Sequence, residues 1–192
     1  MDLLHLARRR KTVRRFSREK IDMDDLLHCI EVAREAPSGM NMQPWRFLIL
    51  GDGERKRKVR EICERAERDF HERAWEELRR WMAERKITWK KDFLEDAPFL
   101  LLVFSWRRAP YFIQSTWLMI GYLLLALEEK GLATVTYTPP NPREIEKFLE
   151  VDDDYKLEVI LPVGYSADEK RREGRRDVKE MIYMERWGAG MR

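Results

Sequence analysis

Residues 36–50 read APSGMNMQPWRFLIL, and the organisation of the chain follows from this stretch. Pro37 and Pro44 restrict the backbone on either side of Gly39, so the segment is a rigid loop and not a tether. Ser38, Asn41 and Gln43 give that loop donors and acceptors. Such groups suit hydrogen bonding to the edge of a planar heterocycle, and equally the capping of an ordinary helix-to-strand turn. Upstream, Leu26, Ile30 and Ala33 recur at i, i+4 and i+7, so residues 23–35 read as an amphipathic helix that stops at Pro37. Downstream, Arg46–Leu50 reads as a first strand. Helix, polar loop and strand in succession mark a chain of mixed α and β content.

The rest of the sequence continues in that manner. Leu3, Leu6 and Ala7 predict a short helix running into Arg8–Lys11. Residues 54–85 carry an apolar stripe at Val59, Ile62, Cys63, Ala66 and Phe70 that continues through Ala74, Leu78, Trp81 and Met82, which reads as a long charged helix. Phe99–Phe104 is a continuous apolar run, as expected of a strand covered on both faces. Ser115–Lys130 reads as a helix apolar all round and closed by Gly131. Such a helix needs cover on every side, which a partner subunit or a thick core can supply. Ala133–Thr138 and Leu157–Val163 are two further strands. With no repeat and no linker, the expectation is one domain over 1–192, with about as many helices as strands.

Bulk composition narrows the function. Thirty-eight basic residues nearly cancel 35 acidic ones, for a net charge of +3. That balance produces no broad cationic field, so nucleic-acid binding is not indicated. Cys29 and Cys63 lie inside helical patterns and make no metal-ligand spacing with His5, His28 or His71, so no metal is assigned. MDLLHLARRRK places its apolar residues before its basic ones, the reverse of a secretory leader, and Trp117–Leu127 is too short to span a bilayer. The expectation is a cytoplasmic protein of a reducing compartment.

Two segments carry chemistry. In Arg10-Lys11-Thr12-Val13-Arg14-Arg15-Phe16 an extended backbone points Arg10, Thr12 and Arg14 to one side. Guanidiniums pair bidentately with phosphate oxygens and a hydroxyl adds a neutral donor, although a basic run alone is as often a solvated face. The second segment is the Ala36–Trp45 loop. Taken together they resemble the nitroreductase superfamily. Gly131–Pro139 is similar to that family's GLGT strand. Leu161–Tyr165 with Arg175–Glu180 is similar to its closing strand and tail.

The resemblance implies an α+β fold: a nitroreductase-like α/β/α sandwich with a central mixed β-sheet and surrounding helices, assembled as an intertwined homodimer. It also implies noncovalent FMN at the subunit interface. By position, Arg10, Lys11, Thr12, Arg14 and Arg175 would hold the phosphate end. Pro37, Ser38, Gly39 and Asn41 would lie near the ring, usually from the other subunit, and Thr136, Tyr137 and Thr138 would line its edge. Thr138 is the expected catalytic contact, a hydroxyl near flavin N5. Gly51-Asp52-Gly53 lacks the third glycine of a dinucleotide loop, so any NAD(P)H would bind transiently against the flavin.

Within the superfamily, Ala36–Gly39, Thr88–Leu94, Ala97-Pro98 and Thr134–Pro139 resemble the iodotyrosine deiodinase branch most. There a helical lid, here near residues 64–95, closes over a halotyrosine. Glu67 and Lys91 fall on the Glu and Lys that grip its amino-acid end. His71 falls where the branch has Tyr, and Met40 where it has Ala beside the substrate ring. The reading preferred from sequence is an FMN-dependent reductase of small aromatic acceptors such as nitroaromatics, quinones or halophenols. The alternatives are a halotyrosine dehalogenase and, in another class, a flavin-binding module without turnover.

Overall fold

The structure, a computed structural model, describes residues 2–189. Four strands form one sheet in the order β1-β2-β4-β3: β1 Trp45–Leu50, β2 Phe99–Trp106, β3 Ala133–Thr134 and β4 Tyr155–Gly164. All three pairings are antiparallel. The expected mixed character reduces to a single parallel bridge between Thr12 and Thr134 at the β3 edge. The Ala133–Thr138 strand is likewise interrupted. Ala133 pairs with Gly164, Thr134 with Val163 and Tyr137 with Ile160, all in one register. That register sets Val135 opposite Pro162, which has no N–H to donate, so the ladder fails there and resumes at Tyr137.

Helices cover both faces, giving the expected sandwich. On one side α2 (Met23–Arg34) and α6 (Phe112–Glu129) bury Leu26, Cys29, Ala33, Met119, Ile120 and Leu123 against Leu101, Val103, Val159 and Leu161. On the other, α3 (Gly53–Arg73), α5 (Phe93–Asp96) and α7 (Pro142–Phe148) bury Val59, Ile62, Leu94 and Ile145 against Leu100, Leu102, Leu157 and Ile160. Alternate residues of β2 serve alternate cores, and for that reason its sequence is a run of apolar residues with no polar face. Burial pushes the thiols of Cys29 and Cys63 up to about 12, so both stay protonated packing groups.

Two expectations need correction. Helices, including the expected α1 (Leu3–Arg9), outnumber strands among the described residues, because α5 is a four-residue turn that periodicity does not resolve and the 54–85 segment is divided. The long helix of residues 54–85 is two, α3 and α4 (Glu76–Glu84), separated at Ala74 and Trp75, which are both extended. The stripe read across the break is still buried at Ala74 and Met82. The chain turns while keeping its apolar side inward, and no Pro or Gly marks the turn.

α6 bears out the concern about its cover. Ser115, Thr116, Met119, Ile120, Leu123, Ala126 and Leu127 are buried, whereas Ile113, Trp117, Leu118 and Tyr122 face out, with Leu118 52% exposed. The 36–44 loop adjoins this face: Gly39 N–H donates to Ser115 Oγ at 3.1 Å. A Cβ on Gly39 would lie 3.0 Å from both Pro110 O and the Tyr111 ring.

Candidate active site

A cleft of about 800 Å³ opens at the β3 edge of the sheet. Its floor is the segment from Arg10 to Arg15, held to the sheet by Val13 N–H donating to Thr134 O at 3.1 Å. Val13 is buried, which turns Arg10, Thr12 and Arg14 outward into the cleft as the alternation requires. Thr136 and Thr138 project from the strand edge, the 64–95 segment contributes Glu67, Trp81, Ile87 and Lys91, and the tail contributes Arg172 and Arg175.

Positive charge dominates this space. Among the described residues, twelve lysines and arginines line the cleft against Glu67, Asp168 and Glu173. No carboxylate lies within ion-pair distance of Arg10, Arg14, Arg172 or Arg175 among the described residues. Burial holds the Arg10 guanidinium below its usual value, and the like charges of Arg175 and Arg172 add to the effect. Arg172 Nε is buried without a hydrogen-bond partner. Gathering guanidiniums in a half-buried place is unfavourable unless an anion joins them, so the arrangement suits an anion with several oxygens, such as a phosphate.

The tail is fastened to this floor. Lys11 Nζ donates to the carbonyls of Asp168 and, at 2.9 Å, Lys170, so its ammonium serves the tail backbone and not the expected ligand phosphate. Asp168 Oδ2 accepts from Arg14 N–H at 3.1 Å and Oδ1 from Lys170 N–H at 2.9 Å. Partial burial alone would raise the Asp168 pKa; these two bonds and the charge of Lys11 outweigh it and lower the value below 3.8. A lowered folded value means stability that is present above the unfolded pKa and lost as pH falls through the folded one. Asp168→Asn is therefore expected to lower the thermal midpoint at pH 7, with the difference from wild type closing below pH 3.8. Scanning calorimetry over a pH series measures this, and a difference that stays constant with pH would mean the charge does not hold the tail.

At the other end of the cleft stands a buried acid–base pair. Lys91 Nζ lies 3.1 Å from Glu67 Oε2 and also donates to Thr88 O at 2.7 Å. Tyr137 donates its hydroxyl to Glu67 Oε1 at 3.0 Å. Burial pushes that phenol well above its ordinary range, with Cys63 and Glu67 beside it adding to the shift, so it stays a donor.

The cleft thus brings together Arg10, Thr12, Arg14, Glu67, Lys91, Thr136, Thr138 and Arg175, with Lys11 turned to the tail and Tyr137 at the inner wall. Three expectations change. Tyr137 points into the core toward Glu67, since alternation turns it away from its threonine neighbours. His71 lies behind Glu67, Nε2 to Oε2 3.7 Å, and is not part of the cleft wall. Pro37, Ser38, Gly39, Met40 and Asn41 are absent from this cleft within one chain; they sit beside the uncovered face of α6. There Met40, Asn41 and Gln43 hold φ of 52°, 53° and 45°, a strained conformation of the kind proteins keep at functional loops. Arg172 and the Asp168 latch were not anticipated; the basic run KRREGRR was the available signal.

Helices on both faces of one sheet, with a cation-rich cleft at the sheet edge, place this chain among the nitroreductase-type α+β proteins. The chain belongs to the nitroreductase family, whose family model matches residues 7–165. It is 54% identical over 176 residues to an iodotyrosine deiodinase of Thermotoga neapolitana, covering 92% of this chain and 95% of the relative. It is 34% identical to iodotyrosine deiodinase 1 of Mus musculus over 86% of this chain and 62% of that longer protein. A crystal structure of an oxidised iodotyrosine deiodinase bound to FMN and 3-iodo-L-tyrosine superposes with a TM-score of 0.90 at 54% identity, covering 92% of this chain and 96% of the other. A BluB-like flavoprotein from Clostridium difficile shares the fold, with a TM-score of 0.80 at 22% identity over 96% of this chain and 99% of that one.

Proposed function

We propose that this protein is an FMN-dependent reductive dehalogenase of halotyrosines. The observation that carries the reading is the Glu67–Lys91 pair, two opposite charges 3.1 Å apart on the wall of the cleft that holds the arginine cluster. A free amino acid brings the complementary pair: its ammonium exchanges with Lys91 at Glu67, and its carboxylate takes the released lysine. The relatives named iodotyrosine deiodinases support this reading over general reduction of nitroaromatics, quinones or halophenols.

The cleft fits FMN at both ends. Arg10, Arg14, Arg172 and Arg175 with Thr12 would hold its phosphate, and Thr136 and Thr138 would meet the ring edge, Thr138 supplying a hydroxyl. Replacing carbon–halogen by carbon–hydrogen takes two electrons and one proton and releases halide; the bound flavin supplies the electrons, renewed by a donor such as NAD(P)H. The side chains orient the halogenated ring and exclude water from it. The proposed lid motion is narrower than residues 64–95. Glu67 is buried and bonded to the sheet, whereas beyond the Ala74 break Trp75 and Trp81 are 65% and 46% exposed, so the moving part runs from Ala74 to Thr88.

The direct test is titration of the FMN-loaded protein with 3-iodo-L-tyrosine and with 2-iodophenol, read by flavin fluorescence. Tighter binding of the amino acid is expected. Equal binding would leave a generalist reductase, and absence of turnover with any donor would leave a flavin-binding module.

The proposed assembly is a homodimer in which the partner covers α6. Ile113, Trp117, Leu118 and Tyr122 form an apolar face beside the Ser38 loop, so pairing would bring that loop toward the partner's cleft. Light scattering is expected to give twice the chain mass, and a stable FMN-loaded monomer would refute it. Two free buried thiols are in keeping with a reducing cytoplasm.

A further inference from the structure

Tyr137 is placed between the two halves of the site. Its backbone is fixed to β4 in both directions, with Tyr137 N–H donating to Ile160 O at 3.0 Å and Ile160 N–H to Tyr137 O at 2.8 Å. Its neighbours Thr136 and Thr138 face the cleft, while its own ring is 8% exposed and packs edge-on against Phe93 with centroids 5.8 Å apart. The hydroxyl reaches Glu67 Oε1 at 3.0 Å.

We propose that Tyr137 is a positioning residue for substrate specificity: it fixes the Glu67 carboxylate so that one oxygen is held by the sheet and the other is offered to a substrate ammonium. The proposal rests on the halotyrosine reading above. Its basis is how differently the partners of one carboxylate are anchored. Oε1 is bound by a hydroxyl whose root is part of the sheet. Oε2 faces Lys91 Nζ at 3.1 Å and His71 Nε2 at 3.7 Å. Lys91 precedes α5 and has Thr88 O as a second acceptor, so it can release Glu67 and remain satisfied. The Tyr137 hydroxyl also meets the Cys63 thiol, a neutral and weaker partner, and its backbone is tied to β4 in both directions, so it stays with the Glu67 carboxylate. An arriving ammonium therefore displaces Lys91 and leaves the tyrosine bond in place. The clamp then keeps its distance from Thr138, one residue along the same strand segment.

The Tyr137–Glu67 bond persists in free and bound protein, so its removal costs affinity through the aim of Oε2 at the ammonium, at most one charge-assisted contact, about ten- to a hundredfold. FMN-loaded Tyr137→Phe is expected to bind 3-iodo-L-tyrosine about tenfold or more weakly. Its affinity for 2-iodophenol should stay unchanged, FMN retained, and the loss should appear in KM with kcat preserved. Equal loss for both ligands would reduce Tyr137 to packing, and no loss for either would also overturn the proposal. If wild type itself does not prefer the amino acid, the halotyrosine reading falls and this inference with it. If wild type prefers it and Tyr137→Phe keeps the preference, only this inference falls. Should the single variant strand a buried charge and not fold, Glu67→Gln with and without Tyr137→Phe removes that charge. The tyrosine change should then add nothing to the loss already caused by Glu67→Gln, and an additive loss would overturn the coupling.

Discussion

Glu67→Ala and Lys91→Ala are each expected to abolish the preference for 3-iodo-L-tyrosine over 2-iodophenol while leaving reduction of a nitroaromatic largely intact. The two residues are buried, at 9% and 7% exposure, and each is the other's principal charge partner at 3.1 Å. A zwitterion replaces that pair by two new ones, so binding costs no net loss of charge pairing; a phenol makes neither contact. Charge-assisted bonds contribute about 1.5–3 kcal/mol each, which is roughly ten- to more than a hundredfold per contact. Removing one partner also strands the other, and breaking a buried pair costs about 3–5 kcal/mol of stability. The comparison of two ligands on the same variant separates specificity from folding, because a general loss of structure lowers both. Retained preference in both variants would dismiss the clamp.

Arg10→Ala should weaken FMN by a comparable factor, about ten- to more than a hundredfold for one charge-assisted bond. Arg10 is half-buried among Arg172 and Arg175, and the carboxylate that acts on it, Glu128, is paired with Arg9 and does not offset the loss of water. That makes it more dependent on a bound anion than an exposed arginine, and its loss should exceed that of Arg14→Ala, whose side chain is exposed. Flavin fluorescence released on dilution gives the dissociation constant for each variant. The apoprotein of Arg10→Ala should also be no less stable than wild-type apoprotein, because three like charges become two. Unchanged FMN affinity in Arg10→Ala and Arg14→Ala together would remove the phosphate assignment.

The misreadings have a common origin. Glu67 and His71 lie on one helix face by spacing, yet only Glu67 reaches the cleft, because a helical face is broader than the rim of a site. The resemblance places Lys11 at the phosphate end by position, but the tail folds back and occupies its ammonium with two carbonyls. Tyr137 was grouped with Thr136 and Thr138 by adjacency, whereas strand alternation sends it to the opposite side. Within the run KRREGRR the resemblance singles out Arg175 alone, whereas the fold also brings Arg172 beside Arg10.

Local sequence determined much of this protein by itself. Periodicity set most of the helices and strands, the unbroken apolar run of Phe99–Phe104 announced a strand covered on both faces, and the Arg10–Phe16 and Ala36–Trp45 segments together carried the family resemblance. These signals are legible because each depends on the spacing of neighbours along one segment. Tertiary structure alone decided that the two segments lie apart within one chain, that α3 ends at Ala74, and that Tyr137 rather than His71 supports Glu67 at hydrogen-bonding distance. Those outcomes depend on contacts between residues far apart in sequence, such as the seventy positions separating Tyr137 from Glu67, and no local pattern encodes which of two adjacent side chains will meet a distant partner.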